Sequence, residues 1–420
     1  MCIRDSNQVE YPSESSIMQY HHILPILLFV SACTNKSIPA AHPQPDTNPF
    51  AYTLTAPPRT DTVLQFSSMI TTITEDNDGN YWIGSWCDGL CKYNPSIKSD
   101  SGQKLFTYYT AANGLPYSEL TKYNGREVPK GHSPRGIQVA DNGDIIFGTI
   151  GGFVKYDGQS FSEIPRASQS KLITDHLDSL KTTGTWNELE QIWFGNISGN
   201  GVYRYDGTEM LHLRIPEAPM SLNRRWSKYA TYSIGQDNNG HLWFGTEAGG
   251  IFKYNKDSFT CINADKDKGI VRAIYQDSSG KVWMSNVLQG LHYYDHEAYI
   301  AGEEYFINFT HQQGYYNLTE TREDNTISDH KLLDGIQTIV EGDDGIIWFG
   351  TFSNGLWRYD PEAKNNKLQH FTFENGLPSD TVKKIYKDKN GQILFGIGDV
   401  EAFIYCYEDG NFIRWDLSNL

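Results

Sequence analysis

The chain has 420 residues, 39% of them hydrophobic, and its 51 Asp and Glu against 35 Lys and Arg give a formal net charge of −16. That length suits two or three ordinary domains or one large repeat domain, and so acidic a chain repels a phosphate backbone, which argues against nucleic acid as a partner. The 26 Tyr, 20 Phe and 10 Trp beside 38 Gly favour many short strands and tight turns over helix bundles.

Residues 1–17, "MCIRDSNQVEYPSESSI", do not read as part of an export signal, and translation is expected to start at Met18. The run "HHILPILLFVSAC" follows and ends at Cys33. Its apolar part, about ten residues, is too short to span a bilayer and suits the core of a signal peptide. "VSAC" (Val30, Ser31, Ala32, Cys33) resembles a bacterial lipobox, although Val30 stands where Leu is usual and no Lys or Arg follows Met18 within the leader. The resemblance implies a signal peptide over 18–33 and a lipid on Cys33, making the chain an exported periplasmic or outer-membrane lipoprotein anchored by lipid alone. The polar, Pro-rich segment up to residue 62 reads as a tether.

From residue 63 to 420 one unit repeats seven times, centred on Trp82, Ile146, Trp193, Trp243, Trp283, Trp348 and Leu394. An Asp/Asn/Gly turn such as "DNDG" or "DNNG" precedes the centre, and Gly or Ser follows two residues after it. A second strand then reads "GLCKYN", "GIFKYN" or "GLWRYD". The third copy has "NELE" in place of the turn, so its first hairpin is the least regular. Shorter strands flank each pair, as in "IQTIVE" before and "LQHFTF" after. Four antiparallel strands at this spacing are the signature of propeller blades, and a ring would bury both faces of each sheet. The expected fold is therefore all-β, a seven-bladed β-propeller of four-stranded antiparallel blades. Both "TVLQFSS" before the first copy and "FIRWDL" at the end offer a strand to the last blade, and either could close the ring. The Asp-rich turns are too short for an EF-hand calcium loop.

"NGLPSDTVKKIYKDKNGQILFG", "IQTIVEGDDGIIWFGTFSNGLWRYD" and "ANGLPYSEL" resemble the two-component regulator propeller repeat. The resemblance covers about Val63 to Asp416 and implies a seven-bladed propeller. Its best-known members are the periplasmic sensing halves of hybrid two-component sensors, often for glycan fragments. The sequence as it stands contains no kinase or DNA-binding segment, so what carries over is the fold and a binding habit, with a separate sensor as the expected receiver.

In such propellers one face, built from the loops between second and third strands and from the blade-to-blade connections, is the usual binding site. The candidates there are Trp86, Phe352, Asn354 and Asp399 in the inter-strand loops, and His132, Arg135, Arg224, Arg225, Trp226 and His330 in the long connections. Arg forks and aromatic faces suit a polar small ligand, a glycan, a peptide or a partner protein. No nucleophile motif, HExxH or phosphate loop is present, and no cofactor or metal is expected. The alternatives are a lyase or hydrolase using a mouth His, and an interaction scaffold without a small ligand. The chain is expected to be monomeric. Cys87 and Cys91 flank one hairpin loop, where a disulfide is compatible with an oxidising compartment, and Cys261 and Cys406 are expected as buried thiols.

Overall fold

A computed structural model describes residues 51–52, 59–61 and most of 64–415. Within that last span it leaves out 99–103, most of 111–119, 130–133, 184–191, 217–228, 263–269, 314–334 and a few loop positions of one to three residues. The described residues belong to one compact unit, Gln44–Leu420. Among them, no helix is long and apolar enough to cross a membrane.

Seven sheets form the blades of an all-β propeller, and in six of them the strands run in simple antiparallel order. The inner strands of those six are Ile70–Glu75, Gly136–Val139, Thr231–Gln236, Val271–Gln276, Ile336–Glu341 and Val382–Lys387. The second strands carry the repeat centres, as in Tyr81–Ser85, Leu242–Thr246 and Ile347–Thr351. Their residues are buried throughout, because both faces of the strand meet a neighbouring blade.

The core divides into seven clusters, each drawn from two adjacent blades. Trp82, Trp193, Trp243, Trp283 and Trp348 are all buried, and each packs against the blade that follows its own. The Gly two positions later is required by the same packing. A Cβ on Gly84 would lie 2.7 Å from Thr72 Cγ2 and 2.9 Å from Pro134 Cβ, and one on Gly350 would lie 2.5 Å from the Val382 carbonyl oxygen.

The Asp of the turn serves two ends. Asp76 Oδ1 accepts the backbone N–H groups of Asp78 (3.0 Å) and Asn80 (2.8 Å), which closes the turn. Its Oδ2 accepts the indole N–H of Trp82 at 2.8 Å. Burial opposes ionisation of Asp76, but the hydrogen bonds from Trp82, Asn80 and Asp78 outweigh it and hold the pKa below the ordinary value. Asp237 and Asp277 hold Trp243 (3.0 Å) and Trp283 (2.6 Å) in the same way. In the seventh blade Leu394 replaces the Trp, and Asp388 instead accepts the hydroxyl of Tyr81 in the first blade at 2.7 Å. That bond spans the closure of the ring.

Both candidate closing segments are used. Asn411–Arg414 is the outer strand of the seventh blade. Phe66 makes an isolated antiparallel bridge to Ala402, is fully buried, and shares the closure cluster with Trp415. Part of the segment read as a tether is also paired. Ala51–Tyr52 adds a fifth strand to the second blade and Arg59–Asp61 one to the first.

The third blade departs from the repeat. Its described sheet holds Trp193–Gly195, Val202–Tyr205 and Met210–Arg214, and its fourth member, Lys171–Leu172, pairs in parallel on the outer edge. The helix Ile173–Thr183 follows directly, where repeat logic predicts no helix. Ile173 and Leu177, four residues apart on one helical face, are fully buried between the third and fourth blades. The inner edge of the Trp193 strand is closed by a side chain from the second blade. Gln138 Oε1 accepts the Trp193 N–H at 3.3 Å, and its Nε2 donates to the Trp193 carbonyl.

Of the cysteines, Cys91 is buried in the closure cluster, and Cys87 lies outside the described residues. Cys406 is buried, and its thiol is pushed up to about 11, chiefly by burial and then by Glu408. Cys261 is only half-buried, because it ends an outer strand rather than facing a blade interface.

Candidate functional site at the channel mouth

The mouth is built from two recurring devices. The first is a bulge. In five blades the register of the inner strand against the Trp strand skips between the first residue and the third or fourth. The skipped second residues are Thr71, Tyr232, Arg272, Gln337 and Lys383. A bulge frees that residue from the ladder and re-aims its side chain. Arg135 holds the equivalent place in the second blade, just before the Gly136–Gly148 pair, with its N–H on the Gly148 carbonyl at 2.9 Å. In the fifth blade Ser285 stands in place of Gly, and its hydroxyl accepts the N–H groups of Arg272 (3.2 Å) and Ala273 (2.9 Å).

The second device is the loop after the Trp strand. The residue four beyond the repeat centre donates its N–H to the carbonyl just before the inner strand of its own blade. Trp86 bonds Met69 (3.0 Å), Glu247 bonds Ala230 (2.9 Å), Phe352 bonds Gly335 (3.1 Å) and Gly398 bonds Thr381 (3.0 Å). In two of these loops the side chain meets the residue at the bulge position of the next blade. Arg135 stacks on the Trp86 ring at 4.6 Å. Lys383 lies over the Phe352 ring at 3.8 Å, with its Nζ 2.6 Å from Met69 Sδ. Arg272 stacks on Tyr232 at 5.0 Å.

Electrostatics follow from this crowding. Burial pushes the Lys383 ammonium down to about 7; Asp399 opposes the shift, and Arg272 and Arg135 add to it. Lys384, the next residue, is also pushed down by burial. A cavity of about 500 Å³ adjoins these residues. Arg135, Tyr232, Arg272 and Gln337 of the bulge ring line it, together with Lys384 and the second, third and fourth blades.

The structure thus brings together Trp86, Arg135, Phe352 and Asp399 of the sequence candidates. Asn354 sits in the same loop as Phe352; its N–H donates to Thr351 Oγ1 at 2.8 Å, and its carbonyl oxygen is 2.8 Å from His370 Nε2, which gives it a part in shaping the loop. His132, Arg224, Arg225, Trp226 and His330 lie outside the described residues, as does Cys33. Sequence reasoning missed Arg272, Lys383 and Lys384. For Arg272 and Lys383 the signal was present in "VRAI" and "VKKI", where a variable residue follows an apolar one, yet simple alternation assigns that residue to solvent.

Comparison with known proteins agrees with the repeat. The two-component regulator propeller family matches residues 65–87 and 227–248, the starts of the first and fourth blades. Histidine kinase P4 of Formosa agariphila is 28% identical over 204 residues, a match spanning 47% of this chain and 13% of the kinase. Among solved structures, virginiamycin B lyase from Staphylococcus aureus aligns over 82% of this chain and 97% of its own, at 12% identity and a TM-score of 0.48. The extracellular domain of BT4673 from B. thetaiotaomicron aligns over 84% of this chain and 55% of its own, at 15% identity and a TM-score of 0.36. The blade count rests on the strand pairing itself. Two segments of the chain are thus similar to the two-component regulator propeller repeat, and the chain folds as a seven-bladed β-propeller.

Proposed function

We propose that this propeller is an exported bacterial binding module, lipid-anchored at Cys33, whose channel mouth receives a glycan, peptide or partner protein and passes that input to a separate sensor. The observation that carries the reading is the convergence of Trp86 with Arg135, and of Phe352 with Lys383 and Asp399, at one end of the channel. An aromatic face beside a cation suits a polar ligand with apolar patches, and the loops that hold these groups recur in several blades. The match to part of a histidine kinase supports a sensing role. The mouth in this proposal also includes Asn354, His132, Arg224, Arg225, Trp226 and His330.

A glycan and peptide array on the purified chain tests the reading. A ligand found this way is expected to bind tenfold or more weakly to Trp86→Ala or Arg135→Ala, a loss of about 1.4 kcal/mol. It should be recovered chemically intact. Normal binding by both variants would move the site elsewhere, and cleavage of the ligand would replace binding with catalysis. For the anchor, Cys33→Ser should release the protein from membranes and abolish fatty-acid labelling.

A further inference from the structure

The cavity beside the mouth holds one amine with no partner among the described residues. Its volume is about 500 Å³, and its lining is largely polar, with Gln138, Asn196, Ser233, Gln337 and Thr338 among the side chains. Lys384, on the inner strand of the seventh blade, also lines it. The backbone is fixed at that point. Lys384 pairs with Gly396, and the next N–H, that of Ile385, donates to Thr338 Oγ1 of the sixth blade at 3.3 Å. The Lys384 nitrogen makes no hydrogen bond or ion pair with any described residue. It is not among the polar atoms sealed in the interior without a partner, so it opens on the cavity. Lys383, one residue earlier, differs. Its Nζ lies against Met69 Sδ and over the Phe352 ring, and Asp399 acts on it.

An ammonium held away from bulk water without a counter-charge costs free energy, and the group sheds its proton to avoid that cost. For Lys384, burial pushes the pKa down, and no neighbouring charge is among the causes. The charged side chains that share its cavity, Arg135, Arg166 and Arg272, are cationic, as is Lys383 beside it in the chain, so none of them holds a proton on the amine. An exposed lysine is a free amine in roughly one molecule in a few thousand at pH 7. A desolvated lysine escapes that limit and becomes a nucleophile, for which a carbonyl carbon is the fitting electrophile. The hydroxyl and amide groups of the lining suit water and a hydroxylated molecule better than an apolar one.

We propose that Lys384 is a covalent capture site for a small hydroxylated aldehyde that enters this cavity. The Lys384 nitrogen attacks the carbonyl carbon, and a proton passes from nitrogen to the carbonyl oxygen, giving a carbinolamine. The new hydroxyl then leaves with the second nitrogen proton as one water, and a carbon–nitrogen double bond remains. No oxidant or reductant is needed, and water reverses the step and returns the aldehyde intact. The proposal goes beyond the mouth reading, because it adds a reaction at a residue outside that set and stands on the cavity and this amine.

The experiment incubates the full chain with glyceraldehyde and cyanoborohydride, which reduces an imine to a stable secondary amine. Peptide mass spectrometry then reads the label at each lysine, with the exposed Lys364 as reference. At pH 7, Lys384 should take label about tenfold or more faster than Lys364, at a rate that saturates with glyceraldehyde. Between about pH 7 and pH 9 the rate at Lys364 should climb steeply while that at Lys384 changes little. In concentrated urea the two rates should become equal, since the fold makes the difference. Labelling of Lys384 no faster than Lys364 overturns the proposal, and so does a rate at Lys384 that climbs with pH as it does at Lys364. An advantage that survives urea overturns it too, because local sequence would then be the cause. A rate that stays linear in glyceraldehyde shows a reactive amine without a binding site and overturns it, as does label on Lys383 with none on Lys384. Equal labelling by butanal, which has no hydroxyl, overturns the ligand class.

Discussion

The blade interfaces and the channel mouth are made from the same strands, yet they treat polar groups in opposite ways. At an interface such as that of the fourth and fifth blades, Trp243 is fully buried and its one polar atom is bound by Asp237 at 3.0 Å. Lys253 lies over that ring at 5.0 Å. At the mouth, the bulges release Arg272 toward the cavity and Lys383 onto the Phe352 ring, where burial lowers the lysine pKa. The interface is satisfied from within one blade. The mouth gathers charged side chains from several blades. That contrast fits a ring whose interfaces supply stability and whose mouth holds charge at some cost to it. The third blade lies between these cases, since its Trp193 is buried without a partner for the indole N–H among the described residues, and its strand edge is closed by Gln138 of another blade.

The largest expected effect is at the interface. Trp243→Ala should cost about 3–5 kcal/mol in urea unfolding, as for other large buried aromatics. A loss below 1 kcal/mol would mean that the interfaces are not what holds the ring.

At the mouth the sign should reverse. The folded pKa of Lys383 is about 7, well below the ordinary lysine value of 10.5, so between those limits the unfolded chain binds more protons. The penalty for holding Lys383 is therefore greatest below pH 7 and fades as the pH rises toward the unfolded value. Lys383→Met should raise stability by about 1–3 kcal/mol at pH 6 and by progressively less toward pH 10, as read from thermal melts. An effect independent of pH would mean that the lysine is not desolvated.

At the seam, Gln138→Leu should cost about 1–2 kcal/mol, because it leaves the N–H and carbonyl of Trp193 without their partners. The amide of Trp193 should also exchange faster with deuterium in this variant, whereas that of Trp243, inside a complete ladder, should not.

The finest test separates the two Trp environments. Trp243→Phe removes a donor from the buried Asp237 and should cost about 1–2 kcal/mol more than Trp193→Phe, which removes an N–H that has no described partner. Equal losses would show that ring volume alone matters at both places.

Most of the fold was legible in the chain because a propeller repeats its reasons. An Asp six residues before the Trp recurs in the first, fourth and fifth blades, and a Gly two residues after the centre recurs in every blade but the fifth, since the neighbouring strands impose similar close contacts. Where one reason is missing, reading weakened. The third copy lacks the turn, and neither its parallel outer strand nor the helix Ile173–Thr183 followed from the pattern.

For the site, the loop face came from the family resemblance, and Trp86, Phe352 and Asp399 were expected there because they lie in the loops after the repeat centres. It could not single out Arg272, Lys383 or Lys384. A bulge is a mismatch between two strands, and it is set by how the inner strand must bend against the next blade, not by its own residues. Likewise, that four cations line one cavity free of described carboxylates is a fact about six blades meeting around a channel. Periodicity and turn chemistry act within some forty residues and determined the blade; only the packing of each blade against the next, which brings residue 135 beside 86 and residue 383 beside 352, decided what the mouth holds.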